Sequence, residues 1–293
     1  MTKLFLFEAG STKTTLLICT TTANLQNRAE IQEIILPGYN PNRKSENFTE
    51  QLAHIKIQKK DRVYFYGSGL ASNERKLELK SIFRGKFQVE MDVFDDILGA
   101  ARALFQNQKG VFAIMGTGGV VAYYDGESVT DRRGGYGYLI DDLGGGYELG
   151  KRVVSAWLNG DLPDLMGDQI ALLFQSNRQS FTHVYYSQPD LSDSPLGLQK
   201  VAATVKFIPD YLETDVVNNL VANYFKDFLN RHLIRLCAEK EVNEFKISGS
   251  IAEFFSEAIS DAASSIGLRV TEKLRFPAQR LLEYHQNSAG MKK

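Results

Sequence analysis

Leu4-Phe5-Leu6-Phe7-Glu8-Ala9-Gly10-Ser11-Thr12-Lys13-Thr14-Thr15-Leu16-Leu17-Ile18 sets an acid and a tip of small residues between two apolar runs. Apolar runs of this length around a Gly-Ser pair predict two strands joined by a tight turn. A tip of Ala, Gly, Ser and Thr has little bulk, so its backbone N–H groups and hydroxyls can approach a phosphate chain closely. Glu8, at the end of the first strand, could hold Mg2+ through water, because that ion takes oxygen ligands and keeps much of its hydration. The same residues also describe an ordinary glycine-turn hairpin with a solvated acid. The stretch alone does not separate the two readings.

Gly110-Val111-Phe112-Ala113-Ile114-Met115-Gly116-Thr117-Gly118-Gly119-Val120-Val121-Ala122-Tyr123-Tyr124-Asp125-Gly126 repeats the order of apolar strand, Gly/Thr tip and apolar strand, which points to an internal duplication. Around the first hairpin, residues 3–7, 14–19 and 30–35 read as a meander. A helix over 45–54, an apolar strand at 63–66, a charged helix over 73–83, a strand over 87–93 and an acid-led helix from Asp95-Asp96 to Leu104 follow. After the second hairpin come a strand at 128–131, a glycine-dense loop at 134–146, and helices over 148–159, 164–176, 198–207 and 215–239. The chain then reads as a strand at 245–250, a helix over 253–265, a strand at 268–271 and a terminal helix over 276–285, with the last eight residues frayed. A meander followed by alternating helix and strand argues an α/β fold.

The chain has 293 residues, enough for two domains or one large one with a sizeable core. Its 34 basic and 35 acidic residues nearly balance, and without a Lys/Arg run they favour a small-molecule ligand over nucleic acid or a membrane surface. Cys19 and Cys237 stand far apart with no Cys or His in ligand spacing, so neither a disulfide framework nor a zinc or iron-sulfur site is expected. The first apolar run, cut by Glu8, is too short for a signal segment or a membrane span, and a cytoplasmic location is expected.

Two hairpin tips of one kind, a Gly-Ser turn before a late helix and an acid-led helix between the tips form a constellation. It resembles the sugar kinases and ATPases of the superfamily that includes actin, the heat-shock chaperone ATPases and hexokinase. Within it the chain is similar to the N-acetylglucosamine kinase group, related to the activator ATPases of benzoyl-CoA and 2-hydroxyacyl-CoA reductase systems. The resemblance spans nearly the full chain. It implies a two-lobed, ribonuclease H-like (actin-like) duplication, each lobe a mixed sheet with flanking helices. The lobes are expected at 1–105 and 106–275, with a terminal helix at 276–293 packing back on the first.

The resemblance also implies roles for particular residues. Gly10, Ser11, Thr12 and Lys13 match the first phosphate loop; Thr117, Gly118 and Gly119 match the second; Gly249 and Ser250 match the adenosine-side turn. Asp96, in Asp96-Ile97-Leu98-Gly99-Ala100-Ala101-Arg102-Ala103-Leu104, matches the catalytic base of the sugar kinases, with Asp95 left as a cap. Asn40, Gly134, Gly135, Tyr136 and Asp142 match sugar contacts, and Glu8 the metal-handling acid. The implied reaction is ATP- and Mg2+-dependent phosphoryl transfer to an amino sugar, most nearly N-acetylglucosamine, with a homodimer left open. A nucleotide-binding regulator and a reductase-activating ATPase are the alternatives, and the second lacks the clustered cysteines it would need. The chain departs from the family pattern at Glu8 (usually Asp), Gly119 (usually Ser), Leu143 (usually Glu) and Arg280 (often Gly).

Overall fold

The computed structural model describes residues 2–10, 13–21, 30–39, 41, 46–187 and 195–290. The chain divides into two compact units, one formed by Met1–Lys109, Asp125–Val129 and Phe276–Lys293, the other by Gly110–Tyr124 and Thr130–Arg275.

The first unit is built on a five-stranded sheet of β1 (Thr2–Ala9), β2 (Lys13–Thr21), β3 (Ile31–Pro37), β4 (Arg62–Gly67) and β5 (Met91–Asp95), in the order β3-β2-β1-β4-β5. The first three strands form an antiparallel meander, and β4 and β5 run parallel to β1. Leu4 to Phe7 are all buried, as a central strand covered on both faces requires. Phe5 and Phe7 join a cluster with residues of α1 (Glu46–Gln51) and α2 (Asn73–Phe87). Within it Phe7 stacks on Phe65 at 5.4 Å and meets Phe83 edge-on at 5.5 Å. The alternating residues Leu4 and Leu6 point to the other face, where α3 (Asp96–Phe105) and α12 (Pro277–Gly290) pack.

The second unit repeats this plan with β6 (Gly110–Met115), β7 (Gly119–Tyr124), β8 (Val129–Gly134), β9 (Glu244–Ser248) and β10 (Arg269–Leu274), in the order β10-β9-β6-β7-β8. Read in chain order, both sheets have one topology, and the expected duplication is present as two ribonuclease H-like mixed sheets with flanking helices. Between β8 and β9 lie α4 (Gly146–Asn159), α5 (Asp164–Phe174), α6 (Phe181–Ser187), α7 (Pro195–Ala203) with a 3-10 extension over Thr204–Tyr211, α8 (Asp215–Phe228) and α9 (Ile234–Glu239). After β9 come α10 (Ser250–Phe254) and α11 (Ser256–Ser264).

Several local expectations are corrected. The strand expected over 87–93 starts only at Met91, because α2 runs to Phe87 and ends on Gln88 in the left-handed conformation (φ 54°). The helix expected over 215–239 contains a π turn at Leu229–Leu233. That expected over 253–265 begins at Ser250 and breaks at Phe255, and α6 was not anticipated.

α12 buries Ala278, Leu281, Leu282 and His285 on one stripe, the i, i+3, i+4, i+7 spacing of a helix face. Tyr66 accepts from the Arg102 guanidinium at 3.0 Å and pairs with His285 Nε2 at 2.8 Å, while the His285 ring stacks on Tyr64. Burial, and after it the charge of Arg102, pulls His285 down to about 3. The folded protein therefore keeps His285 neutral, whereas the unfolded chain protonates it near pH 6.5. The stability this gives is complete above about pH 6.5 and is lost as pH falls toward 3. From pH 7 to 5 the loss amounts to roughly 2 kcal/mol, at about 1.36 kcal/mol per pKa unit. Hydrogen exchange over Pro277–Gly290 should show about 30-fold less protection at pH 5 in the native chain, and a clearly smaller drop in His285→Gln. Equal drops in the two proteins would remove His285 as the cause.

Candidate functional site

In the first unit, Glu8 lies at the end of β1 and Asp96 at the first turn of α3. The Gly10 N–H closes the hairpin on the Lys13 carbonyl at 2.9 Å; Ser11, Thr12 and Asn40 lie outside the described residues. Lys13 is exposed, its ammonium 5.6 Å from the centre of the Phe276 ring. Asp95 caps α3 by accepting the Leu98 N–H at 2.8 Å. Small residues fix the helix close to the sheet: Gly99, Ala100, Ala101 and Ala103 are buried, and a Cβ on Gly99 would lie 2.9 Å from the Tyr66 ring.

The charge of Asp96 acts on Glu8. Burial raises the Glu8 carboxyl most, Lys13 offsets part of that, and Asp96 raises it further. Asp96 keeps an exposed side chain while lying low among surrounding protein atoms. Burial raises its carboxyl first and Asp95 second, against hydrogen bonds from its own N–H, the Ile97 N–H and the Ser68 side chain. Both groups hold a proton at higher pH than an ordinary carboxylate. Among the described residues, no group of three or more His, Cys, Asp or Glu is arranged to hold a metal ion. Mg2+ is commonly held by one or two carboxylates together with substrate phosphates and water, and the carboxylate of Glu8 is an oxygen donor of that kind.

In the second unit the tip Gly116–Gly119 is backed by the loop Asp142–Gly146. Gly146 N–H donates to the Gly116 carbonyl at 2.8 Å and Tyr147 N–H to the Thr117 carbonyl at 3.1 Å. Tyr224, fully buried, donates to the Gly145 carbonyl at 2.6 Å and accepts from the Gly144 N–H at 2.8 Å, so one phenol holds the loop in place. Thr117 is exposed and Gly118 half-buried, whereas Gly119 is buried: a Cβ there would lie 2.0 Å from the Leu143 carbonyl oxygen. The exposed Thr117 and the Gly118 backbone suit a phosphate chain; Gly119 serves as the seat on which the loop rests. Gly249 (φ 108°) turns the chain from β9 into α10, where a Cβ would lie 2.5 Å from the Met115 carbonyl, and Ser250 is exposed at the start of that short helix.

Asp142 lies beside the tip. A Cβ on Gly118 would come within 2.7 Å of its carboxylate. Burial raises the Asp142 carboxyl, the Gly137 N–H counters this, and Glu148 and Asp141 add to the rise. Gly134 and Gly135 both have positive φ, and Tyr136 is exposed with Arg132 over its ring at 5.4 Å. Tyr136 N–H donates to the Asp141 carbonyl at 2.8 Å, so the turn that presents Tyr136 also delivers Asp142. Leu143, where the family pattern has Glu, packs into the apolar core. Arg280 points outward toward Glu283 at 3.7 Å. Cys19 and Cys237 are buried free thiols.

Sequence reasoning missed Tyr224 and the pairing of Asp141 with His232 at 3.3 Å; the glycine run at 144–146 was the available signal that something packs closely there.

No family model and no curated protein matches the chain. Among solved structures, a candidate N-acetylglucosamine kinase from Porphyromonas gingivalis is similar with a TM-score of 0.81 and 24% identity, over 99% of this chain and 100% of that one. A second candidate N-acetylglucosamine kinase, from Chromobacterium violaceum, has a TM-score of 0.71 and 15% identity over 97% and 99%. A candidate sugar kinase from Cytophaga hutchinsonii has a TM-score of 0.51 and 13% identity over 98% and 99%. The likeness establishes the duplicated actin-like fold over essentially the whole chain.

Proposed function

We propose that this chain is an ATP-dependent kinase of an amino sugar, with N-acetylglucosamine the leading acceptor. The observation that carries the reading is the acid pair of the first unit: Asp96, exposed at the start of α3 whose cap is Asp95, and Glu8, whose carboxyl the Asp96 charge raises. The similar fold of two candidate N-acetylglucosamine kinases supports it.

Asp96 acts as general base, taking the proton of a sugar hydroxyl as its oxygen forms a bond to the γ-phosphorus. The bond from that phosphorus to the ADP oxygen breaks, and ADP leaves. When bound, ATP supplies the phosphoryl group and Mg2+ neutralises charge on its oxygens. Glu8 orients the metal's water shell, Gly10 and Thr117-Gly118 receive phosphate oxygens, and Gly249 gives the adenosine side room. Asp142 accepts sugar hydroxyls, and Tyr136 offers a ring for the sugar face. Ser11, Thr12 and Asn40 complete the assignment from the resemblance.

ADP release should depend on the sugar in a panel of N-acetylglucosamine, N-acetylmannosamine, glucose and galactose, with the N-acetylated sugars preferred. ATP binding by calorimetry without sugar-dependent release above that of Asp96→Asn would point instead to a nucleotide-binding regulator.

A further inference from the structure

The second unit contains a cavity of about 590 Å³ beside Asp142, within the roughly 300–1,000 Å³ common for small-ligand sites. Its walls come from the segment Tyr138–Leu143, from the first turns of α4 and from the π turn at Leu229–Leu233. π turns inside helices are rare and concentrate at functional sites. This one places Asn230 and Arg231 on the cavity wall while His232, buried, meets Asp141.

Six of the seven charged groups of the wall pair with one another, and Asp142 is the seventh. Lys151 pairs with Glu148 at 2.6 Å, Arg152 with Asp227 at 2.8 Å, and Arg231 with Asp141 at 3.7 Å. Paired in this way they offer many hydrogen-bond donors and acceptors and call for no net charge on the ligand. At the rim Leu139 and Ile140 are 80% and 76% exposed. Beside them the Tyr138 ring is oriented edge-on by Tyr147 at 5.8 Å. A polar interior, its charges paired apart from Asp142, with an aromatic and aliphatic lip suits the hydroxyl edges and apolar faces of a neutral sugar ring.

Asp142 belongs both to this cavity and to the Gly118 tip. We infer that the acceptor is a neutral saccharide of at least two rings, with one ring held at Asp142 for phosphorylation and the next in the cavity between Tyr138–Leu143 and the π turn. This deepens the kinase reading and rests on it for the role of Asp142.

The test compares N-acetylglucosamine with its two-ring form, N,N′-diacetylchitobiose, as acceptors and as ligands in calorimetry. The disaccharide should show about tenfold or greater advantage in kcat/KM, equivalent to at least ~1.4 kcal/mol. Asn230→Phe fills the cavity from an exposed position and should abolish that advantage while leaving the single-ring constants within about twofold of native, a change under ~0.5 kcal/mol. Ile140→Ser, on the exposed lip, should reduce the advantage without disturbing the fold. Equal kcat/KM for the two acceptors, or an equal loss for both in Asn230→Phe, would overturn the two-ring site. Disaccharide binding that Asn230→Phe removes, without ADP release from any sugar, would uphold the site and defeat the kinase reading. Turnover of the single ring with no binding of the disaccharide would do the reverse.

Discussion

Asp96→Asn is expected to lower sugar-dependent ADP release by about 10²–10⁴-fold, the range that a positioned general base contributes, with ATP affinity within about twofold of native, or under ~0.5 kcal/mol. The asparagine keeps the size of the side chain and its hydrogen bonding to the first turn of α3, and Asp95 still caps the helix through Leu98. What it loses is the capacity to accept a proton. The pH dependence tests the role independently. Asp96 must be ionised to act, and burial followed by Asp95 raises its carboxyl. The acid limb of kcat/KM in the native enzyme should therefore lie above the ordinary aspartate value of about 3.9. The sign for stability is opposite. A carboxyl raised in the folded state favours folding below its unfolded value and disfavours it once pH rises through the folded value. Asp96→Asn should thus be at least as heat-stable as native at pH 7, with the difference closing near pH 4. Loss of turnover together with loss of stability at pH 7 would assign Asp96 a structural role instead.

The duplication was legible because its signal is local and occurs twice: an apolar strand, a tip without bulk and a second apolar strand at Gly10 and again at Gly116. The α3 segment was legible for a related reason, since its Gly99, Ala100, Ala101 and Ala103 are small where the helix must lie close to the sheet. What escaped reading depends on contacts across long stretches of chain. Leu229–Leu233 continues the apolar periodicity of α8 into α9, so nothing in its spacing announces a π turn. Tyr224 reads as one more core aromatic, although its phenol holds both Gly144 and Gly145. The boundary between α2 and β5 was misplaced because Phe87 and Val89 are apolar enough for a strand, while Gln88 takes a left-handed conformation that ends the helix between them. The departures were visible as substitutions, but their reasons were not. Leu143 looked like a lost carboxylate; its side chain is in the core and its carbonyl lies against Gly119.

That contact makes restoring the family residue at Gly119 harmful. Gly119→Ser would regain a hydroxyl at the second tip, and by sequence alone it should improve phosphate binding. The structure predicts the opposite. The new Cβ would lie 2.0 Å from the Leu143 carbonyl oxygen and 2.8 Å from the Gly144 Cα, and both neighbours are backbone, which cannot rotate aside as a side-chain end would. The loop Asp142–Gly146 must lift away from the tip. Lifting it strains the bonds of Gly146 to Gly116, of Tyr147 to Thr117 and of Tyr224 to Gly144 and Gly145. Overpacking alone costs about 1–3 kcal/mol, and a buried partner left unsatisfied adds about 1–3 kcal/mol, so a loss of roughly 3 kcal/mol is expected. For a unit of this size that lowers Tm by about 6–12 °C. Trp157, the only tryptophan of the chain and part of the second unit's core, reports that unfolding directly by fluorescence. Gly116→Ala is the control, because a Cβ there meets nothing within 4 Å, and it should melt within about 2 °C of native, a change under ~1 kcal/mol. A Gly119→Ser protein as stable as that control would mean the loop does not rest on Gly119.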